Sequence, residues 1–421
     1  MAALVVASPM NPPSPSAAPS AWRVANVVAQ IGYGLLAMTI CLPSMPEWGR
    51  MFSASPAAVQ LTFSAYVLSY GTLQLVHGPL SDRQGRRRVL MWGLVIAGIG
   101  SVLAALAGSI DALIGARALQ GAGAAAGMVA GRAIVQDLFA GPQRTRVMAY
   151  VGMAMGLIPP TATIVGGQMH VQLGWQAAFV LMAVLAALLL VAAWRGLPDD
   201  HPRRVPRAEA TPHDAQGVES GPPHGAPGGL LGAYRTLLRH RSFVLHVAVL
   251  SFTVAAFYAF LSGAPLVLAG LGVGPAQVGF YIMAVPLSYI AGNYSCSRLV
   301  HGRGEAWLMR VGQASTVLGI VLMLALGLAG VREPLAFALP LIALGIGHGL
   351  LMPPTLARTV GAVAALAGSA AAIAGVMQQL VGALGAYAVG WVTHESQVNL
   401  ALVMLSFTLM AQAALAALAR R

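Results

Sequence analysis

The sequence predicts an all-α membrane protein, with about twelve transmembrane helices in two six-helix bundles, and three observations predict it. The 421 residues are 57% hydrophobic and only 9% charged, against roughly 25% charged residues in a soluble domain. Uncharged stretches such as Val24–Pro46, Val89–Gly108 and Val311–Val331 are long enough to cross a hydrocarbon core, which takes about 20 apolar residues. One long polar segment, 196–240, divides the chain near its middle. A transmembrane β-barrel would read instead as short strands of alternating polarity.

In chain order, the apolar runs place spans near 24–46, 57–78, 89–108, 112–136, 146–168, 174–195, 242–265, 275–297, 308–330, 334–354, 363–392 and 397–419. Residues 1–22, mostly Ala, Pro and Ser, read as a disordered cytoplasmic tail. They lack the basic start and the length of apolar run that a secretory signal needs. Residues 23–195 then form an N-terminal six-helix bundle and residues 241–421 a C-terminal one. The intervening 196–240, rich in Pro, Gly, His and Arg, cannot bury enough apolar surface to fold alone and reads as a cytoplasmic linker.

Orientation follows from charge. Every basic residue is Arg, and with the N-terminus inside, Arg83, Arg86, Arg87, Arg88, Arg298, Arg303, Arg310, Arg358 and the linker arginines all fall on the cytoplasmic side. Only Arg50 and Arg332 fall opposite, the asymmetry of the positive-inside rule, so both termini are expected in the cytoplasm. The net charge of +12 is therefore a topology signal. The arginines form no single patch and show no aromatic interleaving, which argues against nucleic acid. Cys41 and Cys296 both lie in spans and read as apolar packing residues. No nucleophile–base pair, metal-ligand cluster or phosphate loop points to an enzyme, a metal or a cofactor.

At an offset of 219 residues, Ser69-Tyr70 matches Ser288-Tyr289, Leu80 matches Leu299, Gly85 matches Gly304 and Gly93 matches Gly312. Such a duplication suits two halves that rock about a central cavity. The strongest motif lies at the same place in the first half, Gly78-Pro-Leu-Ser-Asp-Arg-Gln-Gly-Arg-Arg-Arg-Val-Leu90. Gly78 and Gly85 are read as permitting close backbone approach and a tight turn. Asp82, a lone carboxylate beside Arg83, Arg86 and Arg87, is read as a latch that breaks and reforms as the bundles tilt.

That loop resembles the signature of the major facilitator superfamily, Gly-x-Leu-x-Asp-Arg-x-Gly-Arg-Arg, and more narrowly the chain looks like the Bcr/CflA drug-resistance exporters. The resemblance continues through Arg117-Ala-Leu-Gln-Gly-Ala-Gly-Ala-Ala-Ala-Gly127, Gly131-Arg-Ala-Ile-Val-Gln-Asp-Leu-Phe139, Gly174-Trp-Gln-Ala-Ala-Phe179 and Ala367-Gly-Ser-Ala-Ala-Ala372. It implies a monomeric multi-pass exporter of small amphiphilic molecules in a bacterial inner membrane, working by alternating access with protons as coupling ion. It also implies that Asp137 joins the latch and that Arg117 lies on the transport path and takes part in coupling. Gly152, Gly156, Pro159, Pro160, Gly166 and Gly167 resemble the antiporter motif of such exporters, read as pivot and seal.

Physical reasoning alone singles out Arg117, the one charge well inside a span. At a helix centre it costs about 2.5–3.5 kcal/mol, so it needs a wet cavity or a polar partner such as Gln120. The departure from the family lies in the first span, where Thr39 occupies the position that is acidic in many relatives. No Asp or Glu lies deep in any span, and the usual buried proton carrier is missing. His348, within Gly345-Ile-Gly-His-Gly349, is open to two readings, a titrating substitute or a hydrogen-bonded structural residue. Tyr66, Tyr70, Phe257, Tyr258, Asn293, Gln378 and Gln379 are candidates for lining a largely apolar cavity. Without fixed negative charge, such a cavity suits neutral or anionic compounds. Export of a self-made metabolite such as a siderophore, and a non-transporting membrane sensor of the same fold, are the competing readings.

Overall fold

The computed structural model describes residues 21–139, 141–198, 229–363, 366–393 and 396–419. The side chain of Asp82 lies outside what is described, as do almost all of the expected tail and most of the expected linker. The first half comprises α1 (Ala21–Thr39), α2 (Met45–Met51), α3 (Pro56–Gln84), α4 (Arg86–Ala105), α5 (Ile110–Leu138), α6 (Gly141–Leu173) and α7 (Gln176–Gly196). After α8 (Gly229–Arg239), the second half comprises α9 (Arg241–Gly270), α10 (Pro275–Ile282), α11 (Ala284–Arg303), α12 (Glu305–Leu328), α13 (Pro334–Ala338), α14 (Leu341–Gly361), α15 (Ala367–Ala388) and α16 (Gln397–Ala419). No strand occurs among the described residues.

Among the described residues, ten helical segments are long and apolar enough to cross a membrane. The second segment of each half is not among them. In α3 the polar side chains Gln60, Thr62, Ser64, Ser69, Thr72, Gln74 and His77 dilute the apolar run, and α10–α11 is interrupted at Met283. Large apolar side chains such as Leu188, Leu318 and Leu384 point outward, as they must where the solvent is lipid.

The departures from twelve simple rods have identifiable causes. The first span stops at Thr39 and resumes as a 3-10 turn, Leu42–Ser44, and α2. Pro43 has no N–H to continue the ladder. Pro286 breaks α10 from α11 in the same way, by leaving the Ile282 carbonyl without its donor. Eleven residues near the end of the expected linker, Gly229–Arg239, are helical, because α8 seats Leu237 on Phe243, Val247 and Leu250 at the start of α9.

The 219-residue repeat is visible in the backbone. α3 begins at Pro56 and the α10–α11 unit at Pro275. Gly85 (φ 97°) and Gly304 (φ 74°) make matching left-handed turns into the next helix. In each half one helix is wedged among the others by small residues. On α5, a Cβ at Gly121 would strike the Tyr66 carbonyl of α3, one at Gly123 the Ala97 amide of α4, and one at Gly127 the Gln30 carbonyl of α1. On α14, Gly345 and Gly349 face α11 while Gly347 faces α12. Backbones approach this closely in membranes because there is no water to expel and packing itself drives association.

The halves meet through α3 with α15 and α6 with α10 and α11. Gln60 Nε2 donates to the Ser262 carbonyl (3.1 Å), Phe63 meets Tyr258 edge-on (6.0 Å), and Gln168 Nε2 donates to the Ala276 carbonyl (3.4 Å). A Cβ on Gly167 would strike the Pro275 carbonyl, and one on Gly71 the side chain of Gln379. All these crossings lie between the middle of the bundle and the arginine-poor end.

Candidate functional site

Arg117 is fully buried in the first half. Its Nη1 donates to the Ala37 carbonyl at 2.9 Å and to Gln120 Oε1, and its Nη2 to the Met38 carbonyl at 3.4 Å. Those two carbonyls belong to the last turn of α1, where the break before Pro43 takes away their helical donors. The negative end of the α1 dipole thus faces the guanidinium where a carboxylate would otherwise be needed. Above it lies the Tyr66 ring, 4.2 Å from the guanidinium carbon, with Phe179 at 5.8 Å. A desolvated stack of this kind contributes up to about 2 kcal/mol.

A polar chain extends from this point. Gln120 Nε2 donates to Ser101 Oγ (2.8 Å), Ser101 to the Ala97 carbonyl (2.7 Å), and Tyr33 OH lies 3.4 Å from Ser101 Oγ. Tyr66 OH donates to the Gly34 carbonyl (2.7 Å) and stacks on Tyr70. Thr39 is buried directly beyond the two acceptor carbonyls, and its hydroxyl bonds back to Leu35 (2.9 Å). Arg117 is closed off from the surface, and its Nε has no hydrogen-bond partner. Its described partners are Gln120, two carbonyls and two rings.

A cavity of about 200 Å³ lies in the second half between α9, α11 and α14, walled by Thr253, Phe257, Tyr258, Tyr289, His348 and Met352 among others. The glycines of Gly345-Ile-Gly-His-Gly349 take the close crossings with α11 and α12, which leaves His348 directed at α9, edge-on to Phe257 at 6.4 Å. His348 is buried and its Nε2 has no hydrogen-bond partner. Tyr258 OH donates to Gln379 Oε1 (2.9 Å). Gln378 bonds back to its own helix at Ala374, and Asn293 sits where α11 crosses α14. Of the seven predicted lining residues, Phe257 and Tyr258 wall this cavity, Gln379 supports Tyr258, and Tyr66 and Tyr70 belong to the arginine cluster.

At the arginine-rich end, Arg86 Nε pairs with Asp137 Oδ2 at 2.8 Å, and Arg87 donates to the Trp194 carbonyl. These contacts tie α4 to α5 and α7 within the first half. Gly85 carries the turn. Gly78 does not need to be glycine for packing, since an added Cβ would meet only Val129 at 3.9 Å. Along α6, which runs unbroken through Pro159 and Pro160, Gly156 meets Ile290, Gly166 the Ile40 carbonyl and Gly167 the Pro275 carbonyl, whereas Gly152 faces open space.

Sequence reasoning missed three features. Phe179 and Ser101 complete the arginine cluster. His170 pairs with Glu47 (3.2 Å) and Ser44 (3.0 Å) at the arginine-poor end. Arg358 pairs with Glu305 (2.7 Å) in the second half. The last was within reach, because Glu305 stands 219 residues after Arg86, at the same first position of the helix after the glycine turn.

Comparison with known proteins gives consistent matches. The model of the Major Facilitator Superfamily matches residues 28–386. The chain is 26% identical over 380 residues to Multidrug resistance protein D of Escherichia coli (strain K12), covering 90% of this chain and 91% of that protein. It is 27% identical to a chloramphenicol resistance protein of Pseudomonas aeruginosa, covering 77% and 75%. Among solved structures, a bacterial homolog of the human lysosomal transporter Spinster superposes with a TM-score of 0.75 at 15% identity, covering 95% of this chain and 96% of that one.

Proposed function

The chain belongs to the Major Facilitator Superfamily, a family of membrane transporters and not of enzymes, and from that premise we propose that it exports small amphiphilic compounds by proton antiport. In this reading twelve spans form two six-helix halves in a bacterial inner membrane, both termini are cytoplasmic, and the protein acts as a monomer. The relatives named for multidrug and chloramphenicol resistance support drug-like cargo. The buried Arg117 disfavours cations, and the uncharged cavity in the second half favours neutral amphiphiles.

The observation that carries the proposal is the distribution of crossings between the halves. Gln60–Ser262, Gln168–Ala276 and Gly167–Pro275 hold the arginine-poor ends together. The halves can then separate at the arginine-rich end, and the rocking between the two states is the transport cycle. Arg117 carries the coupling role. The Arg86–Asp137 pair stiffens the first half where it must move as one body, and Asp82 keeps the role of a latch that breaks and reforms.

The test is a cross-link. Gln168→Cys with Ala276→Cys, oxidised in proteoliposomes, should abolish chloramphenicol efflux driven by a pH gradient, and reduction should restore it. Efflux that continues in the oxidised protein, or that ignores the pH gradient, overturns the proposal. A second reading, export of a self-made metabolite, is favoured by Thr39 in place of the acid. A deletion strain that keeps its chloramphenicol tolerance but retains its own secreted product would decide for it.

A further inference from the structure

We propose that the cavity between α9, α11 and α14 is a subsite for an uncharged aryl group bearing one hydroxyl, with His348 as its buried polar anchor. The inference rests on the export reading, because it assigns part of the cargo to a place in the second half.

Size comes first. A dry cavity of about 150 Å³ admits benzene, so the 200 Å³ here suits one substituted aromatic ring. The walls suit a ring as well. Phe257, Tyr258 and Tyr289 supply aromatic faces and Met352 an adaptable apolar one.

Polar capacity is the second constraint. Most hydrogen-bonding groups around the cavity are spent within the protein. Thr253 Oγ1 bonds the Val249 carbonyl (2.7 Å), Tyr258 OH bonds Gln379, and Ser288 Oγ bonds the Val285 carbonyl (2.9 Å). Tyr289, also in the wall, is half-buried, and among the lining side chains His348 Nε2 is the buried atom without a partner. A buried unpaired polar atom is costly, and in the wall of a cavity that cost is relieved when a ligand group pairs with it. A neutral imidazole presents one donor and one acceptor depending on tautomer, and a hydroxyl, which both donates and accepts, matches either.

Charge is the third. No Asp, Glu or Arg walls the cavity among the described residues, and burying an unpaired ionised group is far more costly than burying a hydroxyl. The subsite therefore discriminates against carboxylates and ammonium groups.

The test is binding, measured by fluorine NMR on the full chain in lipid nanodiscs near neutral pH. The probes are para-trifluoromethylphenol, para-trifluoromethyltoluene and para-trifluoromethylbenzoate. The phenol should bind saturably and more tightly than the other two. His348→Leu should weaken the phenol about threefold to tenfold, the worth of one neutral hydrogen bond, and leave the toluene unchanged. His348→Gln, which keeps a side-chain donor and acceptor, should recover most of the loss. Val254→Phe, which fills the cavity from α9, should abolish binding of both neutral probes. A phenol that binds no better than the toluene, a benzoate that binds as well as the phenol, or a His348→Leu protein with parental phenol affinity overturns the subsite. Efflux of chloramphenicol without this binding pattern would sink the subsite alone, whereas the binding pattern without efflux would sink the export reading and leave the subsite standing.

Discussion

Replacing Arg117 with Met separates a functional arginine from a structural one. Met fills much of the same volume without charge or donors. Three acceptors would lose their donor, the Ala37 and Met38 carbonyls and Gln120 Oε1. At about 1 kcal/mol each within a membrane, they cost about 3 kcal/mol. Loss of the stack on Tyr66 adds about 1–2 kcal/mol. Against this, removing a buried guanidinium relieves about 3 kcal/mol. The net destabilisation is about 1–2 kcal/mol, small for a fully buried charge. Arg117→Met should thus shift the midpoint of unfolding in SDS-containing mixed micelles only slightly, while abolishing proton-coupled efflux. Tryptophan emission offers a local probe, since Trp48 and Trp175 both pack on Phe179, the second ring of the cluster. Two results would refute the reasoning. Parental efflux in Arg117→Met would remove the coupling role. A loss of more than about 5 kcal/mol would exceed anything in this sum and make Arg117 a keystone of the fold, so that its transport defect said nothing about coupling.

Three further outcomes follow from the same geometry. Gly123→Ala should cost about 1–3 kcal/mol, because its Cβ would press on the Ala97 amide and Gly93 carbonyl, both backbone; Gly108→Ala, facing open space, should change the same SDS midpoint by less than about 0.5 kcal/mol. Gly85→Ala and Gly304→Ala should each cost about 1–3 kcal/mol, since both glycines have positive φ, and equal losses would show the repeat to be energetic as well as geometric. Asp137→Ala should cost at most about 1 kcal/mol, as partly exposed ion pairs do, and the exchange Arg86→Asp with Asp137→Arg should recover what either single change loses, read as efflux rate at low and high salt.

Much of this arrangement was legible because membranes impose simple rules. Apolar runs gave the helical class and the long helices in chain order, ten of them apolar enough to cross a membrane among the described residues, and Arg117 with Gln120 stood out as a charge and an amide on one helix face. The ends and breaks were less legible. Pro43 ends α1 early, but nothing in the sequence says that Arg117 takes up the carbonyls left behind, a contact across 80 residues of chain. Pro286 divides α10 from α11, while its repeat partner Val67 leaves α3 whole, so the repeat alone misleads there. His348 was ambiguous because its surroundings depend on which faces of α14 the glycines occupy, a matter settled by α11 and α12.

The repeat makes the differences between the halves informative. At the glycine turns, position 86 is Arg and its partner position 305 is Glu, and each pairs with a residue near the end of the next long helix, Asp137 on α5 in one half and Arg358 on α14 in the other. The brace is retained while its polarity is reversed, so what the fold requires there is a tie and not a particular charge. The interiors differ more deeply. The first half buries a guanidinium held by a broken helix end, and the second holds a neutral cavity with one unspent imidazole nitrogen. In the proposed export cycle this difference divides the labour, with charge handled in the first half and uncharged cargo in the second. An exporter built this way does not need coupling ion and cargo to compete for one carboxylate, which is consistent with Thr39 standing where an acid would otherwise be.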